Sequence, residues 1–248
     1  YDILFFWVAR MMMLGIELTG EAPFETVYLS GLIRDPLGQK MSKTKGNVVD
    51  FLGLIDEVGA DALRFALIHG AAPGADVRFG AAKVEQARNF ANKLWNAARF
   101  VLGARPVGLA ADGERRLPDA RHLGPAERWL LSRAAATVGA VDAAMADHLY
   151  GELTRILYES IWGEYCDWGL ELAKVRLQDD SLPAETREAT WWALLDALDT
   201  YLRLLHPVMP FITERLWREL PHRAGDPELL IAARWPGRVA REPAAETE

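Results

Sequence analysis

Three lysines, Lys40, Lys43 and Lys45, crowd into the stretch GQKMSKTKGNVVD, which runs from Gly38 to Asp50. Ammonium groups this close repel one another unless they share an anion. The residues around them suit phosphate. A backbone rich in Gly, Ser and Thr can aim N–H groups at phosphate oxygens, and a neighbouring ammonium neutralises charge that develops on a leaving group. Lys40, Ser42, Lys43 and Thr44 fit phosphoryl chemistry of that kind. The stretch does not match the glycine-rich Walker pattern. The rival reading is a solvated basic turn, since lysine pairs are common in loops.

A second group sits further along. The apolar positions Val84, Ala87, Ala91, Leu94, Ala98 and Val101 recur at steps of three and four and predict a helix over about 81–102. Beside that seam runs a stripe of Glu85, Asn89, Asn92, Asn96 and Arg99, with Phe100 next to it. Asparagine is a poor helix former, so a stripe of it needs a reason. Amide and guanidinium groups read base edges, and aromatic rings stack on unpaired bases. The competing reading is that the amides satisfy neighbouring helix ends.

The elements that must hold these groups change in kind along the chain. Tyr1 to about Gly15 is apolar without alternation and reads as a buried strand running into a helix. TVYLSGLI (Thr26–Ile33) is β-branched and aromatic, as a strand should be, and DPLG after it is a turn. Asp50 is placed to cap a short helix through Glu57. Gly59 ends that helix, and Asp61 starts another through Ile68. Beyond Phe79 the pattern is helical, with further helices at about 125–147, 149–176, 184–206 and 210–220 and a break at Pro207 and Pro210. The expected fold is mainly α: the C-terminal remnant of a Rossmann-type α/β fold, followed by a helical bundle.

Several motifs in this order resemble the class I aminoacyl-tRNA synthetases. KMSKTKGN (Lys40–Asn47) is similar to the KMSKS signature of that family, with Thr44 keeping the final hydroxyl. GADALRFALI (Gly59–Ile68) resembles the hallmark that follows it. YDILFFWVARMMMLG, ARNFANKLWNAARF, YCDWGLELAK and LLHPVMPFITERLW are together more similar to the valyl-tRNA synthetases than to the isoleucyl or leucyl branches. The resemblance covers roughly residues 1–235.

The resemblance implies an ATP-dependent valine–tRNA ligase as parent protein. Lys43 would contact the ATP phosphates and stabilise the pentavalent transition state of adenylate formation, with Lys40 assisting. Met41 and Ser42 would offer backbone contacts to the nucleotide, and Thr44 its hydroxyl. Trp7 would be an aromatic wall against the amino acid, and Asp2 the acidic group beside the adenylate. The family places the anticodon on the helical bundle, which makes Asn89, Asn92, Asn96, Arg99 and Phe100 the candidates for tRNA recognition. Residues 1–78 would be the C-terminal part of the catalytic domain with its signature loop at 40–44. Residues 79–238 would be the anticodon-binding domain, and 239–248 a frayed tail. The partners implied are valine tRNA, valine and ATP with Mg2+, and no metal site is expected in the chain itself.

The family's other signature, a HIGH-type pair of histidines, is not among the five histidines here, nor is there an editing insertion or a coiled-coil arm. The chain is therefore expected to be an excised piece that does not activate valine alone. The alternative is a stand-alone tRNA-binding module without chemistry.

Bulk properties set outer limits. The 248 residues carry 28 Lys and Arg against 35 Asp and Glu, a net charge of −7, which taken alone argues against nucleic-acid binding. The distribution argues otherwise. Residues 34–45 carry net +3 and residues 76–105 net +4, whereas 151–200 carry net −7. A basic face can only lie in the N-terminal half. The single cysteine, Cys166, excludes an internal disulfide and any multi-cysteine zinc site, and fits a reducing, cytoplasmic setting. It reads as packing on a helix rather than a nucleophile. Asp167 reads as a partner for the Trp168 indole or a helix end, and His69 and His206 as helix-terminal residues. A monomer without membrane attachment completes the expectation.

Overall fold

Apolar residues recur at steps of three and four through much of the chain, and helices dominate the described residues. The computed structural model describes residues 3–109 and 116–237, with the backbone alone at Lys43. Asp2 and the expected frayed tail lie outside the described residues. The chain divides into two compact units. One comprises residues 1–49 with 71–80, the other residues 50–70 with 81–248.

Among the described residues, the sheet lies in the first unit. Strands β1 (Ile33–Arg34) and β2 (Val77–Arg78) pair in parallel, Ile33 against Val77 and Arg34 against Arg78. Parallel strands need a long connection. Here it carries the lysine loop and two helices. Asp76 stitches the pair by accepting from the Leu32 amide at 2.8 Å and from the Arg34 guanidinium. These two partners, the amide first, hold its carboxyl below the usual range. Of TVYLSGLI only Ile33 joins a strand. Residues 26–32 are irregular, so β-propensity alone did not make one.

The expected strand before Gly15 is also corrected. A wide π-type turn at Leu4–Val8 leads into α1 (Ala9–Thr19), which ends on Gly20 in the left-handed region at φ 77°. The missing alternation was the relevant signal, because an unalternating apolar run fits a helix as well as a strand. Nor is this segment buried: Phe5, Phe6, Trp7 and Met13 are all exposed.

The second unit begins with α2 (Phe51–Val58), capped by Asp50, whose carboxylate accepts from the Leu52 and Gly53 amides, both at 3.1 Å. Helix α3 (Ala60–Ile68) follows. The bundle continues with α4 (Ala81–Gly103), α5 (Pro125–Ala146), α6 (Tyr150–Tyr158), α7 (Leu170–Leu177), α8 (Ala184–Leu205) and α9 (Pro210–Trp217). From Ala189 to Leu205 helix α8 is buried on nearly every side, as a central helix is, and it carries two buried carboxylates, Asp196 and Asp199. It packs against α5, α7 and α9, burying Trp191, Leu194, Leu198 and Tyr201.

Two further buried carboxylates pin this bundle. Glu127, only 3% exposed, bonds back to the Gly124 amide at 2.9 Å and closes the first turn of α5. It also accepts from Arg176 at 2.5 Å and from the Thr190 hydroxyl at 2.9 Å, joining α5 to α7 and α8. Asp61 was expected to start α3. The helix begins one residue earlier, at Ala60, so Asp61 is in its first turn, and in addition it accepts the Phe211 and Ile212 amides at 3.2 and 2.6 Å, capping α9 from a neighbouring helix. One turn on, Arg64 donates to the carbonyls of Pro207 and Val208, both at 2.9 Å. The helix expected as one piece at 149–176 changes its winding. Residues Glu159–Gly169 form a wide π-type segment between α6 and α7.

Candidate functional site

The lysine loop is built outward from β1. Asp35 follows the strand and is buried at 7% exposure. Its amide donates to the Gln39 carbonyl at 3.0 Å, and its carboxylate accepts the Gln39 amide at 2.7 Å. Gly38 makes the turn between them at φ 80°, a region that favours glycine. The Asp35 carboxylate also accepts from the Asn47 side-chain amide at 2.9 Å. That bond first, then the Gln39 amide, holds its carboxyl below the ordinary range.

Asn47 closes the loop from its far end. Its Nδ2 donates to the Lys40 carbonyl at 3.3 Å as well as to Asp35, and its Oδ1 accepts the Ser42 amide at 2.9 Å. Met41 is bracketed between those two backbone contacts. Residues Lys43–Lys45 then form a short 3-10 turn. The Ser42 hydroxyl lies 3.2 Å from that of Thr44 and accepts the Lys45 amide at 3.3 Å. Lys40, Thr44 and Lys45 are exposed, and Met41 and Ser42 half-buried. Lys45 spends its ammonium on Gln39 Oε1 at 3.5 Å, consistent with a peripheral charge. The loop thus offers a fixed backbone path under exposed ammonium groups, a form suited to a polyphosphate. Asp35 and Asn47 were not anticipated from sequence. The DPLG turn located Asp35, but nothing local signals that an asparagine twelve residues on will be its partner.

The remaining site candidates of the first unit are less organised. Trp7 is 63% exposed and packs no core. Its ring is not buried by the strand expected there, because that strand is a helix.

On α4, Asn89, Asn92, Asn96 and Arg99 are all exposed and share one face, as their spacing predicts. The seam beneath is Val84, Ala87, Phe90, Leu94, Ala97, Ala98 and Val101. Ala91, expected in it, is half-exposed, while Phe90 is fully buried. Phe100 is half-buried, with the Lys174 ammonium 5.0 Å from its ring centre. Beside the N-terminal part of the amide face lies a shallow hollow of 290 Å3, lined by Gln86, Asn89, Tyr158 and Trp162 among others. Tyr158 and Trp162 stack at 5.5 Å, and Lys93 stands 5.3 Å over the Trp162 ring. Asp167 pairs with Lys93 at 2.8 Å rather than with an indole, and raises the lysine's pKa through that bond. Cys166 is buried, and burial pushes its thiol up to about 12, which fits packing and no nucleophilic role. His69 and His206 each end a helix as expected. Burial lowers the pKa of both, and His206 Nδ1 meets the Thr213 hydroxyl at 2.8 Å.

Comparison with known proteins adds what geometry cannot. A model of class I tRNA synthetases for Ile, Leu, Met and Val matches residues 1–80, and one of the anticodon-binding domain of tRNA ligases matches residues 127–248. A valine–tRNA ligase of Dehalococcoides mccartyi is 50% identical over 236 residues, 94% of this chain and 26% of the relative. That of Symbiobacterium thermophilum is 48% identical over 248 residues, 98% of this chain and 26% of the relative. The chain therefore spans about a quarter of the length of these relatives. Among solved structures, Mycobacterium tuberculosis methionyl-tRNA synthetase in complex with methionyl-adenylate aligns with a TM-score of 0.68 at 24% identity, covering 87% of this chain and 42% of that one. That likeness establishes the fold alone.

Proposed function

We propose that this chain is the signature-loop and tRNA-reading portion of a valine–tRNA ligase, since residues 1–80 match the class I tRNA synthetases and residues 127–248 the anticodon-binding domain of tRNA ligases. The observation that carries this reading is the order of the two domains together with close identity to valine–tRNA ligases across nearly the whole chain. The relatives lend no support to a stand-alone RNA-binding module.

In this reading valine and ATP are the first substrates. A carboxylate oxygen of valine attacks the α-phosphorus of ATP. The bond to the bridging oxygen breaks, and pyrophosphate leaves with the electron pair. Mg2+ enters with ATP as part of the substrate. Among the described residues no cluster of His, Cys, Asp or Glu is placed to hold a metal. Lys43 neutralises charge on the departing phosphates, and Lys40 assists from the start of the loop. Met41 and Ser42 supply backbone contacts, and Thr44 a hydroxyl. Such a site works by electrostatic stabilisation of the transition state. In this reading the role of a wall against the valine side chain falls to Trp7, and that of the acidic group for the adenylate to Asp2, which lies outside the described residues. Residues 1–78 would then serve catalysis and 79–238 recognition.

The second substrate is valine tRNA. Asn89, Asn92 and Asn96 present amides to base edges, Arg99 a guanidinium, and Phe100 an aromatic flank. The enzyme would act as a monomer in the cytoplasm. The test is binding of valine tRNA to this chain at low and moderate salt, with the native anticodon and with an altered one. Weaker binding of the altered tRNA, together with a steep salt dependence, supports the assignment. Equal binding of both overturns the recognition half of it.

A further inference from the structure

The signature loop is held at its two ends by a pair of side chains to which the sequence assigned no role. Asp35 stands at its entry and Asn47 at its exit, and they meet at 2.9 Å. Between them they occupy the Gln39 amide, the Lys40 carbonyl and the Ser42 amide. We propose that Asp35 and Asn47 are positioning residues for adenylate formation: the clasp sets the backbone path on which Lys40 and Lys43 stand. This rests on the reading of the loop as an ATP-phosphate site.

The chemistry of the pair is directional. An ionised carboxylate only accepts, and Asp35 faces donors, the Gln39 amide and the Asn47 Nδ2. Asn47 must both donate and accept, since it faces a carboxylate and a carbonyl on one side and the Ser42 amide on the other. Neither residue can change type alone without setting donor against donor or acceptor against acceptor. Both can change together. In the exchanged pair, residue 47 as aspartate still accepts the Ser42 amide, and residue 35 as asparagine donates across the clasp while its Oδ1 still accepts the Gln39 amide. The bond to the Lys40 carbonyl is replaced by a carboxylate oxygen facing that carbonyl, so the exchange restores the clasp only in part. Anchoring on β1, itself stitched by Asp76, gives the loop a fixed reference in the sheet. Charge stabilisation of a transition state depends on placement within a fraction of an ångström, and a 1 Å error can cost about 100-fold.

The experiment uses the full-length ligase that carries this segment. Valine-dependent ATP–pyrophosphate exchange is measured for Asp35→Asn, Asn47→Asp, Asn47→Ala, the double exchange Asp35→Asn with Asn47→Asp, and Lys43→Ala as reference. The single variants should lower kcat by about 10- to 100-fold, with KM for valine and the melting temperature little changed. The double exchange should be clearly more active than either exchange alone, with the mismatch at the Lys40 carbonyl keeping it below the parent. If Lys43→Ala is impaired while the clasp variants match the parent, the positioning role is wrong and the ATP reading survives. If Lys43→Ala is unimpaired, the ATP reading itself fails. If the single variants unfold or weaken valine binding, and the double exchange restores nothing, the pair serves folding and the proposal is overturned.

Discussion

Replacing Asp61 tests whether a helix capped from outside obeys the energetics of one capped by its own chain. Met209, at the ordinary capping position of α9, makes no side-chain cap, and Asp61 takes that task by accepting the amides of Phe211 and Ile212. Losing a cap costs about 0.5–2 kcal/mol, and a carboxylate at a partly buried helix N-terminus adds up to about 2 kcal/mol. Against this stands the cost of burying the charge, which is large enough to raise the Asp61 pKa above 3.8 despite both bonds. The balance predicts a loss of about 2 kcal/mol for Asp61→Ala. Asp61→Asn keeps one acceptor and should lose about 1 kcal/mol.

The pH dependence has a definite sign. A carboxyl whose folded pKa lies above its unfolded value stabilises the fold fully below the unfolded pKa, and this contribution is lost as pH rises through the folded pKa. The advantage of the parent over Asp61→Asn should therefore widen as pH falls from 7 towards about 4. Urea denaturation followed by tryptophan fluorescence, repeated across that range, reads both quantities. A loss below about 0.5 kcal/mol in Asp61→Ala, or an advantage that narrows on acidification, would refute the reasoning.

Glu127→Ala leaves Arg176 half-buried without its carboxylate and removes the partner of Thr190, so it should cost about 3–5 kcal/mol in the same assay. Lys93→Met breaks a pair that is exposed on both sides and should change stability by less than about 1 kcal/mol. Leu94→Ala opens a cavity beneath the amide face and should cost about 2–5 kcal/mol. A thiol reagent at pH 8 should leave folded Cys166 unlabelled and react with it promptly in urea, since the thiol is buried and its pKa is raised to about 12.

What could be read from sequence followed the range of the interactions. The boundaries of α4, α5 and α8 were legible because their apolar period runs for more than twenty residues. The Asp50 cap and the break at Pro207 and Pro210 were legible because they act within a turn. The errors lie where the deciding contact is distant in sequence. Asp61 opens a helix within one residue of the expected start, but its second task went unseen because the amides it caps are about 150 residues away. The shift to wide turns over Glu159–Gly169 leaves no mark on apolar periodicity. Phe90 rather than Ala91 fills the seam, a difference of one position that a small drift in helix phase decides. In the loop, the crowded lysines pointed to a shared anion or a solvated basic turn, and only the fuller motif favoured phosphate. The Asp35–Asn47 pair that holds them left no signal, because hydrogen-bond complementarity between two loop ends has no sequence period.

The central claim is that the loop from Lys40 to Thr44 acts on the phosphates of ATP in a valine–tRNA ligase. Valine-dependent pyrophosphate exchange by the full-length enzyme with Lys43→Ala tests it most directly. The account predicts that kcat falls by about 100- to 1000-fold while KM for valine is nearly unchanged, as expected when a charge that acts only in the transition state is removed. Exchange at the parental rate would contradict it.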